Sequence, residues 1–132
     1  MRNEPNWLPL ETVLEINRDA VSKTGENYLL RDQALLESAL GKPKNHWAYG
    51  DEDNVVVLAV QLLDGIAQNH CFEQGNKRTA FISAVMFLKA NGYNLTVPDG
   101  EIPLGHWVEM LVTKAISPEQ FVEMIAPYVK PL

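Results

Sequence analysis

The chain has a single cysteine, Cys71. A lone thiol excludes an internal disulfide framework and fits a reducing compartment, so a cytoplasmic location is expected. Basic residues are scarce: 11 Lys and Arg stand against 17 Asp and Glu, a net charge of −6. That balance argues against a nucleic-acid partner, because phosphate contacts need clustered cations and the notable basic pair is Lys77-Arg78. The apolar run from Val55 to Leu63 is too short and too interrupted to span a bilayer, and no signal peptide or membrane association is expected. Internal repeats, low-complexity tracts and linkers are missing too. What is left, 46% hydrophobic and 21% charged over 132 residues, is the composition of one soluble globular domain, residues 1–132. It can build a core without metal or disulfide staples.

Against that plain background one stretch is dense in polar chemistry: Asn69-His70-Cys71-Phe72-Glu73-Gln74-Gly75-Asn76-Lys77-Arg78-Thr79. Before it, Val55 to Ile66 is apolar nearly all round, as is Ala80 to Leu88 after it, and Asn91-Gly92 supplies a helix stop. The pattern predicts two buried helices joined by one polar loop. The second helix would begin near Asn76, leaving the N–H groups of Gly75 to Thr79 without intrahelical acceptors at the positive end of the macrodipole. That is an anion site, which Gly75 lets a phosphate approach closely. Lys77 and Arg78 add charge, Arg78 as a fork suited to phosphate oxygens. Asn76 can cap the helix and donate its amide to a ligand. His70, across the loop, is the residue type suited to proton transfer near neutrality. A base facing a phosphate cradle suggests transfer of a phosphorus-containing group to a hydroxyl. A thiol site made of His70 and Cys71 is disfavoured, since adjacent residues rarely point at each other.

His70, Phe72, Gly75, Asn76, Lys77 and Arg78, in the pattern His-x-Phe-x-x-Gly-Asn-Lys-Arg, resemble the core motif of the Fic/Doc family. Lys77 and the following Thr79-Ala80 are similar to its Doc (death-on-curing) branch. AMP-transferring Fic enzymes carry Gly-Asn-Gly-Arg-x-x-Arg, and Phe81 stands at the place of that second arginine. Weaker similarity runs from Trp7 to Asn94 and includes Arg31-Asp32 and Leu35 to Leu40. The resemblance implies a helical fold and nucleotide-dependent modification of a protein hydroxyl. In the Doc branch this is a toxin kinase that uses ATP on a threonine of elongation factor Tu and pairs with a Phd-like antitoxin. His70 would be the general base, Gly75, Asn76, Lys77, Arg78 and Thr79 the phosphate cradle, and Phe72 the anchor of the loop. AMP transfer and a binding module with a disabled site are the competing readings. The latter rests on Gln74, which occupies the place of the usual acidic ligand for Mg²⁺; Glu73 is the adjacent substitute. Ser22-x-x-x-Glu26-Asn27 matches an inhibitory motif of Fic proteins whose glutamate binds the motif arginine. That motif is helical, and Gly25 interrupts it here, so the match reads as coincidence.

The rest of the chain is expected to be helical as well, six or seven helices in an all-α fold. Trp7 reads as a core plug. Leu10, Val13, Leu14 and Val21 form one helical stripe, on which Asn17 is a satisfied buried amide or faces the site. Lys23 to Asn27 reads as a loop, and by resemblance Tyr28 to Arg31 belong to a flap that aligns the target. Asp32 caps a short helix through Leu40, ended by Gly41 and Pro43, and Lys44 to Asn54 is a polar connection. Tyr93 to Val97 is extended without an evident partner, Pro98-Asp99-Gly100 is a turn, and His106 to Ile116 is a helix. Ser117-Pro118-Glu119-Gln120 opens a final helix through Ala126, with a short tail beyond Pro127.

Overall fold

A computed structural model describes residues 2–97 and 102–132. The turn expected at Pro98-Asp99-Gly100 lies outside the described residues. The element order is α1 (Leu10–Lys23), α2 (Gln33–Gly50), α3 (Val55–Asn69), α4 (Asn76–Ala90), β1 (Tyr93–Leu95), α5 (Leu104–Val112), α6 (Pro118–Ile125), a 3₁₀ turn (Ala126–Tyr128) and β2 (Val129–Pro131). The fold is all-α, with α3 at the centre. Among the described residues no helix is long and apolar enough to cross a membrane.

The apolar run of α3 dictates its place: Leu58, Leu62, Leu63 and Ile66 are all buried, and α2, α4, α5 and α6 pack around it. Helix α4 is central too, but only one side of it is covered. Thr79, Ala80, Ser83, Ala84, Phe87 and Leu88 face inward, while Ile82 and Met86 reach solvent. Its small inward residues let it lie close against α3 and α1, while Phe81 and Ile82 face a cleft shared with α5.

Helix α2 differs from the short helix expected. Asp32 caps it as its position suggests, accepting from the Leu35 N–H at 3.1 Å, but the helix runs on through Gly41 and Pro43 to Gly50. Packing overrides the two breakers. Pro43 is buried in line with Leu36, Ala39 and Leu40, and α3 comes so close that a Cβ on Gly65 would sit 3.2 Å from the Ala39 carbonyl oxygen. The extension carries Trp47, whose ring meets Trp7 edge-on at 6.3 Å, while Trp7 stacks on Phe87 at 5.8 Å. Trp7 is thus the plug its position suggested. The left-handed Asp51 ends α2, and Asn54 caps α3 by accepting from Val56 N–H at 2.9 Å.

The extended stretch after Gly92 does have a partner. β1 pairs antiparallel with β2, Asn94 opposite Lys130, so the C-terminal tail is a strand rather than a loose end. The capping box at Ser117 and Gln120 forms in both directions.

Candidate active site

The loop between α3 and α4 is bent by two left-handed residues. His70 (φ 49°) ends α3 and Gly75 (φ 75°) starts α4. Histidine tolerates that region better than most side chains, and the reversal sends Cys71 and Phe72 into the core while the His70 ring stays exposed. Phe72, fully buried beside Tyr28, is the anchor of the loop. Its backbone is clamped by Asn76: the Phe72 N–H donates to Asn76 Oδ1 at 3.0 Å, and Asn76 Nδ2 donates to the Phe72 carbonyl at 2.7 Å. The Asn76 amide therefore closes the loop, and it caps nothing; Gly75 holds the N-cap position. Gly75 suits its position on two counts. Besides its positive φ, a Cβ would lie 3.1 Å from Val21 Cγ1 and 3.3 Å from Asn17 Nδ2.

Two segments grip the loop from outside. Along one edge the extended residues Tyr28 to Arg31 form a bridge, Leu30 opposite Phe72, with Glu73 N–H donating to the Leu29 carbonyl at 3.0 Å and Arg31 N–H to the Cys71 carbonyl at 2.8 Å. On the other side Asn17 of α1, wholly buried, donates from Nδ2 to the Gln74 carbonyl and to Thr79 Oγ1, both at 2.9 Å. Asn17 is therefore both the buried amide and the neighbour of the site, although its Oδ1 lacks a partner among the described residues.

The N–H groups of Gly75, Asn76, Lys77 and Arg78 have no acceptor among the described residues and open at the positive end of α4. Thr79 does not join them. Its N–H is taken by the Gly75 carbonyl at 2.9 Å and its side chain is buried against Asn17, because the helix is already closed one turn in. The expected cradle thus shrinks by one residue, and Thr79 holds the loop instead. Both cations carry carboxylates. Lys77 Nζ lies 2.6 Å from Glu109 of α5. Arg78 donates to the Ala20 carbonyl at 3.2 Å, to Thr24 Oγ1 at 3.1 Å and to the Glu26 carboxylate. The chain reaches that geometry without the helix the inhibitory motif requires: α1 stops at Lys23, Gly25 turns left-handed, and Glu26 N–H bonds back to the Val21 carbonyl at 2.9 Å. Thr24 first and Arg78 second hold the Glu26 carboxyl below the usual carboxylate range.

Two clefts flank the loop. One, of about 380 Å³, opens between α4 and α5 with Lys77, Arg78, Phe81, Ile82 and Glu109 in its walls. The other, of about 280 Å³, holds His70 with Arg31, Asp32, Leu35 and Asn69. Neither wall offers a ready metal cage. Among the described residues no group of three His, Cys, Asp or Glu side chains could hold an ion. Gln74 and Glu73 are both exposed, and the neutral Gln74 amide is a poor match for magnesium, which prefers carboxylate oxygens beside substrate phosphates. Cys71 is wholly buried, and that burial pushes its thiol up to about 11, which disfavours a thiolate.

Sequence reasoning missed Glu109 as the partner of Lys77 and gave Arg31 no role of its own. Neither has a local signature, since each depends on a contact made across the fold.

A sequence profile described as the Fic/DOC family matches residues 7–88. The chain is similar to "Toxin Doc" of Mycolicibacterium smegmatis, 37% identical over 73 residues, 54% of this chain and 55% of that protein. It is also similar to "Protein kinase doc" of Escherichia phage P1, 28% identical over 82 residues, 62% of this chain and 65% of that protein. The matched segments thus span between about half and two thirds of each of these curated relatives.

Proposed function

Because the chain belongs to the Fic/Doc family, we propose that it is a Doc-like toxin of a toxin–antitoxin pair, a kinase that moves the γ-phosphate of ATP to a Ser or Thr hydroxyl of a target protein. The observation that carries this reading is the exposed His70 ring set one tight loop away from an open helix start flanked by Lys77 and Arg78. The names of both relatives, one a toxin and one a protein kinase, support it. By family resemblance the proposed target is elongation factor Tu and the proposed partner a Phd-like antitoxin.

In this scheme His70 takes the hydroxyl proton as the acceptor oxygen bonds to the γ-phosphorus. The bond from that phosphorus to the β,γ-bridging oxygen breaks, and ADP leaves. The N–H groups at the start of α4 and the Arg78 fork hold the phosphoryl oxygens, and Lys77 offsets the remaining charge. Phosphate must first displace Glu26 from Arg78 and Glu109 from Lys77. Both ion pairs are solvent-accessible and therefore weak, so phosphate can displace them. A disabled site that only binds partners is the second reading, and Gln74 together with the Glu26 contact favours it. AMP transfer is opposed by Lys77 and by Phe81 in the place of a second arginine.

The test is a pair of labelling reactions with magnesium and elongation factor Tu, one with ATP labelled at the γ-phosphate and the other at the α-phosphate. Transfer of the γ label alone is expected. Transfer of the α label would make the protein an AMP transferase. No transfer from the native chain, with activity in Gln74→Asp, would favour the binding module.

A further inference from the structure

We infer that Arg31 reads an acidic side chain next to the acceptor hydroxyl, so that the preferred substrate is a Ser- or Thr-bearing segment with Glu or Asp beside it. The inference rests on the proposed phosphoryl transfer for its meaning, but on the shape of the site for its content. In-line transfer puts the attacking hydroxyl and the leaving group on opposite sides of the phosphorus. The two clefts divide in the same way and share no residue: one holds the cations of the phosphate cradle, the other holds the base. A general base must touch the acceptor's proton, so the His70 cleft takes the acceptor.

Four polar side chains line that cleft, and two are already used. Asp32 accepts from the Leu35 N–H at 3.1 Å, and Asn69 Nδ2 donates to the Leu35 carbonyl at 2.8 Å. His70 and Arg31 are left without a side-chain partner among the described residues. The backbone that carries Arg31 is also firmly placed. It is bonded to Cys71, and residues 28 to 31 are extended, so their side chains alternate in direction. Tyr28 and Leu30 pack on the core while Leu29 (50% exposed) and Arg31 face out. A planar, permanently charged fork beside the base suits a carboxylate. The preference runs against the protein's net charge of −6, which by itself would favour a basic acceptor. The local cation thus makes a prediction that the overall field does not.

Nine-residue peptides centred on Thr, with Glu, Gln or Lys on both sides, test the assignment against the full chain and its Arg31→Glu variant. Binding is measured without ATP by NMR titration, and transfer separately with ATP. The native chain is expected to bind the Glu peptide roughly five-fold more tightly than the Lys peptide, and Arg31→Glu to reverse that order. Equal binding of all peptides, no binding of any, or an unchanged order in the variant would overturn the proposal. So would a rise in the KM for ATP in Arg31→Glu with the peptide order kept, since that would put Arg31 on the nucleotide. If the native chain selects the Glu peptide but transfers nothing to it, the kinase reading fails and the assignment of Arg31 stands.

Discussion

Helices α3 and α4 are each 15 residues long and both central, yet nine residues of α3 are buried against six of α4. Their roles divide accordingly. α3 spends nearly its whole length on packing and gives the site only what lies beyond its last turn, the His70 ring. α4 leaves one side uncovered, so that Lys77, Arg78, Phe81 and Ile82 line a cleft while its opposite side seals the core. A rigid neighbour on one side and an open one on the other let a single loop be both fixed in place and accessible.

The largest effect is expected at the junction. His70→Ala should lower transfer by about 10²- to 10⁴-fold while the chain stays folded, with the urea midpoint only slightly lowered, because the ring is exposed and has no partner among the described residues but Ala tolerates the left-handed φ of 49° less well than His. Labelling that survives the substitution would remove His70 as the base.

The contrast between the helices can be broken directly by two matched truncations. Ile66→Ala in α3, at 0% exposure, should cost about 3 kcal/mol, whereas Ile82→Ala in α4, at 37%, should cost less than about 1 kcal/mol. Equal losses in urea unfolding would mean that α4 is as deeply packed as α3.

A smaller loss is expected where α1 holds the loop. Asn17→Ala removes both bonds from Nδ2, to the Gln74 carbonyl and to Thr79 Oγ1, and should destabilise by about 1–3 kcal/mol. Hydrogen exchange at the motif loop should quicken at the same time. Unchanged exchange there would show that packing alone holds the loop.

The smallest effects belong to Glu26. Glu26→Gly frees Arg78 and should tighten ATP binding by roughly threefold, read by calorimetry; no change would mean that the contact does not compete with phosphate. The pH dependence has a definite sign. A carboxyl held low by Thr24 and Arg78 contributes stability that is full above the unfolded value, about 4.3, and is lost as pH falls through the lower native one. The small advantage over Glu26→Gln at neutral pH should therefore vanish in strong acid. An advantage that instead grew on acidification would contradict the ion pair.

Whatever rests on neighbours along the chain was legible before folding. The apolar runs set α3 and α4, and Asp32 and Ser117 capped their helices as their positions implied. The spacing from His70 to Arg78 marked the site, because a loop between two helices is a local object. The rest depended on packing between distant segments. Gly41 and Pro43 read as a stop, and burial against α3 carried α2 past them. Tyr93 to Leu95 found a partner strand only when the fold brought the C-terminal tail alongside. Glu26 meets Arg78 across 52 positions of sequence, a contact that the Ser22-x-x-x-Glu26-Asn27 match named and that the interruption at Gly25 made read as coincidence, whereas Lys77 meets Glu109 across 32 with no local pattern to encode the pair. Propensity and capping are energies between near neighbours. Which carboxylate reaches Arg78, and which cation stands beside His70, depend on where distant segments are packed.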